Sequence, residues 1–120
     1  MRVLIVDDST YIRSSLRSLL HDNGYEVVGE AKNGESAIDL ALELNPDVIT
    51  LDNILPDMTG LDVLKTINTD DFTSKVIMIS AVGQQSAIVE AMENGAKHYL
   101  VKPFDNEELI GILRGLDEET

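Results

Sequence analysis

The sequence predicts a single three-layer α/β domain, (βα)5, over residues 1–120, on two observations. Its short apolar runs are continuous rather than alternating, as suits strands covered on both faces of a parallel sheet. The segments between them repeat apolar residues every three or four positions, the period of a helix packed by one face. With 43% hydrophobic residues, a chain of 120 has the material for a core.

In chain order, the first strand is Val3-Leu4-Ile5-Val6, stopped by Asp7-Asp8. Ile12, Leu16, Leu19 and Leu20 mark the first helix, and Asn23-Gly24 supplies residues tolerant of positive φ behind it. A weaker strand is Glu26-Val27-Val28-Gly29-Glu30, followed by a helix with Ala37, Leu40, Ala41 and Leu44 that Asn45-Pro46 stops. The third strand, Val48-Ile49-Thr50-Leu51, ends at Asp52, and Leu61, Leu64 and Ile67 mark the next helix. Val76-Ile77-Met78-Ile79 ends at Ser80, and Ile88, Ala91 and Met92 form the buried stripe of a helix closed by Asn94-Gly95. Tyr99-Leu100-Val101 runs into Lys102-Pro103. The last helix carries Leu109, Ile112, Leu113 and Leu116, Asp105 and Glu108 read as its capping box, and the terminal Asp-Glu-Glu-Thr as a frayed tail.

Nine basic residues against twenty-two acidic ones leave a net charge of −13, which opposes nucleic acid and an anionic membrane surface. No run approaches the ~20 apolar residues that span a bilayer. The absence of cysteine excludes disulfides, thiol nucleophiles and cysteine metal sites. The first apolar run is too short for a signal peptide, so a cytoplasmic location is expected. His21 and His98 have no partner at metal-binding or catalytic spacing and are expected to be exposed. Asp39, Glu43, Glu90 and Glu93 read as solvated helix faces.

In an open doubly wound sheet, functional groups collect beyond the C-terminal ends of the strands, where strand order reverses. That edge should gather Asp7, Asp8, Asp52, Ser80 and Lys102. Three carboxylates in close quarters raise one another's pKa values unless a cation is present, and an all-oxygen set with room for water suits Mg2+ or Mn2+. Lys102 adds a point charge for a phosphate and Ser80 a rotatable donor. A carboxylate at the centre of such a set can accept a phosphoryl group as an acyl phosphate.

Asp7-Asp8, Asp52 with Leu55-Pro56-Asp57-Met58-Thr59-Gly60, Ser80-Ala81 and Lys102-Pro103-Phe104 together resemble the receiver domain of two-component response regulators, over essentially the whole chain. The resemblance implies a flavodoxin-like sheet of order 2-1-3-4-5, for which CheY is a type example. It implies Asp52 as phosphoacceptor. Asp8, Asp52 and the Ile54 backbone carbonyl become direct Mg2+ ligands, Asp7 acts through water, and Ser80 and Lys102 hold the phosphoryl group. It further implies a cis Lys102-Pro103 bond, and a switch in which Ser80 moves toward the phosphoryl group while Tyr99 turns inward, remodelling the face of helix four, strand five and helix five.

Within the family, the segment Met78 to Gln85, Gly95-Ala96-Lys97 before strand five, and the lack of an output domain after residue 120 resemble the CheY group of stand-alone chemotaxis regulators. The partners so implied are a sensor histidine kinase as phosphodonor, a motor-switch or motor-adaptor protein as target, and a phosphatase, with the chain a monomer that catalyses its own phosphorylation and dephosphorylation. Ile54 stands two after Asp52, where some members carry asparagine, and Val82 two after Ser80; both are apolar, which predicts a longer-lived acyl phosphate than polar residues there would give. A receiver of another phosphorelay, including one cut from a DNA-binding regulator, is the alternative. An aspartate-nucleophile phosphatase would need Asp-x-Asp, whereas Asp52 is followed by Asn53-Ile54. An FMN carrier would need a hydroxyl-rich loop where Asp7-Asp8 stand, and more than 4% aromatic residues.

Overall fold

The computed structural model describes residues 1–119. Five strands alternate with five helices: β1 Arg2–Val6, α1 Thr10–Asp22, β2 Glu26–Ala31, α2 Gly34–Leu44, β3 Val48–Leu51, α3 Gly60–Ile67, β4 Lys75–Ser80, α4 Gln85–Glu93, β5 His98–Val101 and α5 Asn106–Glu118. The strands form one parallel sheet in the order β2-β1-β3-β4-β5, as the sequence predicts.

Strand alternation divides the core into two halves. Leu4, Val6, Ile49, Leu51, Val76 and Met78 face α2, α3 and α4, whereas Val3, Ile5, Val48, Ile77, Ile79 and Leu100 face α1 and α5. Continuous apolar runs follow from this, since both sides of each strand meet a helix. The predicted stripes of α1 and α5 are buried at Leu16, Leu20, Leu109, Leu113 and Leu116. Gly24 and Gly95 take φ of +84° and +105° behind α1 and α4, and Asn45 closes α2 at φ +45°.

Some boundary expectations need correction. Strand β2 continues to Ala31, with a register shift against β1 between Val3 and Leu4. Asp105 is the N-cap of α5 but makes no capping box, because its own carbonyl takes the Glu108 N–H at 3.0 Å, the donor such a box would use. The capping box belongs to α3, between Thr59 and Asp62. Met92 is 43% exposed instead of buried, and His98 is half-buried within β5. The tail is shorter than expected: Asp117 and Glu118 are helical, and Thr120 lies outside the described residues.

Candidate functional site

Because β1 and β3 are adjacent while their flanking strands run to opposite sides, the switch point of the sheet lies between them. Val6 pairs with Leu51, so the next residues, Asp7 and Asp52, leave the sheet side by side. The Asp52 amide still donates to the Val6 carbonyl at 3.0 Å, which fixes the two turns relative to each other. Both aspartates are buried, at 3% and 6% exposure, whereas Asp8 is exposed. One oxygen from each of the three carboxylates lies within 4.8 Å of the others.

Lys102 reaches this cluster from the turn after β5. Its Nζ donates to Asp7 Oδ2 at 2.8 Å and Asp52 Oδ2 at 3.3 Å, bridging the two buried carboxylates. The remaining oxygens meet backbone donors, Ser9 N–H on Asp7 Oδ1 at 2.9 Å and Ile54 N–H on Asp52 Oδ1 at 3.1 Å. Burial pushes the Asp52 carboxyl above its ordinary pKa and the Asp7 charge adds to this, against the lowering by the Ile54 amide and Lys102. For Lys102, burial works to lower the pKa, but the Asp7 hydrogen bond and the charges of Asp52 and Asp7 outweigh it and the net shift is upward. The ammonium therefore stays charged beside a carboxylate that burial disfavours.

The donor set fits a hard divalent cation. Three carboxylates converge, and the Asp8 carboxylate makes no hydrogen bond or ion pair among the described residues. One protein ammonium shared between two of them leaves the cluster with an uncompensated negative charge, which Mg2+ would offset.

Ser80 ends β4 fully buried, and its Oγ accepts the Val82 N–H at 3.1 Å. The Val82 carbonyl accepts the Tyr99 hydroxyl at 2.5 Å, so a single residue of the β4–α4 loop, through the two peptides on either side of its Cα, joins the strand-end hydroxyl to the aromatic ring on β5. Tyr99 is half-buried against the α2–α4 side of the core and, with Asn53, Leu61, Met78 and Ala91, lines a cavity of about 40 Å3. The Lys102-Pro103 peptide is cis, as the resemblance implies.

Asp7, Asp8, Asp52, Ser80 and Lys102 thus lie at the C-terminal ends of their strands on one edge of the sheet, with Ile54 on the loop after β3 and Tyr99 joined to that edge through Val82. Other residues there gave no such signal. Arg13 donates to the Asp7 carbonyl at 2.7 Å from α1 and pairs with Glu30, which Arg17 also binds, bracing the β1–α1 turn. The Val82 link runs through backbone atoms that any residue would supply. Asp57, visible only as part of a loop motif, reaches the start of α2.

Comparison with known proteins agrees with this geometry. Residues 3–114 match the response regulator receiver domain. The chain is 44% identical over 112 residues to the chemotaxis protein CheY of Thermotoga maritima, covering 93% of each. It is 42% identical over 109 residues to that of Bacillus subtilis, covering 91% of each. Among solved structures, the CheX-CheY-BeF3-Mg complex from Borrelia burgdorferi superposes with a TM-score of 0.91 at 32% identity, covering 97% of this chain and 88% of that one. The chain belongs to the response regulator receiver family, and its curated relatives include CheY proteins at 42–44% identity over most of its length.

Proposed function

We propose that the protein is a phosphorylation-activated chemotaxis regulator that accepts a phosphoryl group on Asp52 from a histidine kinase and signals to a motor-switch or motor-adaptor partner. The observation that carries this reading is the Lys102 bridge between the buried Asp7 and Asp52, with Asp8 at its open side. Packing alone gives no reason to assemble those charges.

In the transfer, an Asp52 carboxylate oxygen bonds to phosphorus as the P–N bond of the donor phosphohistidine breaks, and the imidazole nitrogen leaves with the electron pair. Asp8, Asp52 and the Ile54 carbonyl would hold Mg2+ directly and Asp7 through water; bound there, Mg2+ neutralises charge on the phosphoryl oxygens. Lys102 supplies a second positive charge to those oxygens, for which it must give up its bond to Asp52 at 3.3 Å. Ser80 ends the strand beside β3, and a turn of its hydroxyl toward the new oxygens would trade the Val82 amide for a charge-assisted bond. Because Val82 also holds the Tyr99 hydroxyl, that trade reaches β5 and the adjoining faces of α4 and α5 through one loop. The same groups would serve the water that later hydrolyses the acyl phosphate, and a phosphatase partner would accelerate that step.

A cytoplasmic monomer fits this role, and no described helix is long and apolar enough to cross a membrane. Incubation with acetyl phosphate and Mg2+ followed by intact-mass measurement tests the chemistry. One phosphoryl adduct is expected, lost in Asp52→Asn; no adduct, or one that survives Asp52→Asn, overturns the mechanism. For the pathway, the phosphorylated form should bind a motor component and the unphosphorylated form should not.

A further inference from the structure

We infer that Asp57 is a positioning residue for the metal side of the site, pinning the loop that carries the Ile54 carbonyl onto the N-terminus of α2. This rests on the proposed metal-ligand role of Ile54. The loop from Asp52 to Gly60 is a small hairpin. Ile54 and Thr59 form an antiparallel bridge, and Leu55-Pro56-Asp57-Met58 make the turn beyond it.

At its base, the Gly60 N–H donates to the Asn53 carbonyl at 2.8 Å. A Cβ on Gly60 would lie 2.2 Å from the Asp52 carbonyl oxygen, so only glycine allows this approach. At its tip, Asp57 Oδ1 accepts the Gly34 N–H at 2.7 Å and Oδ2 the Glu35 N–H at 3.0 Å. These are first-turn amides of α2 that no helical carbonyl can serve, while Asn33 separately takes the Ser36 N–H at 2.8 Å. A carboxylate also suits the positive end of the helix dipole. The two amide bonds hold the Asp57 carboxyl below its ordinary pKa, the Gly34 bond contributing most. Beside this contact Met58 lies on Gly34, where an added Cβ would come within 2.3 Å of the methionine Cγ.

The hairpin is therefore held at both ends, and the Ile54 carbonyl can reorient only with it. The Ile54 side chain is 57% exposed and adds little packing of its own. Releasing Asp57 would free the tip, leave the carbonyl poorly aimed, and weaken Mg2+ binding although no direct ligand has changed. By reciprocity, a cation that fixes the carbonyl must also tighten the Asp57 bonds to Gly34 and Glu35.

The test is a Mg2+ titration of the intact chain followed by amide NMR, with hydrogen exchange read at Gly34 and Glu35. Asp57→Ala should bind Mg2+ several-fold more weakly, and Asp57→Asn, which keeps one acceptor oxygen, should fall between it and the parent. Saturating Mg2+ should slow exchange at Gly34 and Glu35 in the parent and not in Asp57→Ala. Leu113→Val, which loosens the opposite face of the core, should keep the parent's Mg2+ affinity. Parent-like affinity in Asp57→Ala overturns the proposal, as does an equal loss in Leu113→Val. Asp8→Asn separates the two readings: if it too binds Mg2+ as the parent does, the assignment of the metal site fails; if it alone loses binding, only the role of Asp57 falls.

Discussion

Thr50 is an odd residue to find two positions before the proposed phosphoacceptor. It is 1% exposed in the middle of β3, between Ile5 on β1 and Ile77 on β4, and its hydroxyl finds no hydrogen-bond partner among the described residues. An unpaired buried hydroxyl costs about 1–3 kcal/mol. Replacing it by a methyl of similar shape removes that cost, so Thr50→Val should leave the urea midpoint unchanged or raise stability by about 1 kcal/mol; a clear loss would mean that the hydroxyl is satisfied in solution. The two residues that flank the site from its loops pose a different question, one of rate. Ile54 is 57% exposed on the β3–α3 loop, and Val82, two residues after Ser80, is half-buried on the β4–α4 loop. Neither side chain can orient a water, and both stand on loops whose backbone amides bond the Asp52 carboxylate or the Ser80 hydroxyl. Ile54→Asn and Val82→Glu should each speed loss of the phosphoryl group several-fold, followed as decay of the phosphorylated mass after the donor is removed. Unchanged decay in both variants would show that these side chains do not control access of water.

At the scale of elements, the strands and the buried helix stripes were legible in the sequence because their signal is periodic and each residue's role follows from its neighbours in the chain. So was the convergence of Asp7, Asp8, Asp52, Ser80 and Lys102, since strand ends share one edge of a parallel sheet. What was illegible depends on partners far apart. The Asp57 carboxylate meets amides more than twenty residues earlier, and Arg13 meets the Asp7 carbonyl through a guanidinium whose direction no spacing reveals. Local motifs also misled: Asp105 and Glu108 have cap-like spacing, yet the cap carbonyl serves the amide that the side chain was expected to take. Helix α5 shows propensity sacrificed without a packing reason. Gly111 and Gly115 lie within it, exposed, and a Cβ built on either meets nothing within 4 Å. Glycine inside a helix costs about 1 kcal/mol relative to alanine. Gly111→Ala and Gly115→Ala should therefore each raise stability by roughly that amount and add when combined, since two small side chains one turn apart share no partner. Thermal melts of the singles and the double check this, and a destabilised single would reveal a strain that the helix backbone does not show.

The net charge of −13 acts on the molecule as a whole, and its effects divide into two parts that salt can separate. Most of the acids lie on solvated faces, such as Asp39, Glu43, Glu90 and Glu93, where self-repulsion is spread over the surface and any added electrolyte screens it. The cluster of Asp7, Asp8 and Asp52 is a local repulsion, held together by the sheet and only partly relieved by Lys102. Sodium chloride should raise the unfolding midpoint through the first part alone. Magnesium chloride at matched ionic strength should raise it further, because a cation bound only to the native state adds about 1.4 kcal/mol for each tenfold of its concentration above the dissociation constant. In Asp8→Asn the two salts should become equivalent, and without any divalent ion that variant should be more stable than the parent, since one of three crowded charges is gone. Equal stabilisation of the parent by both salts would mean that the cluster is no cation site. A less stable Asp8→Asn would mean that its carboxylate is held by the fold and not strained by it. The expected pattern makes the site a region where stability is given up for charge density, recovered only when a cation and then a phosphoryl group arrive.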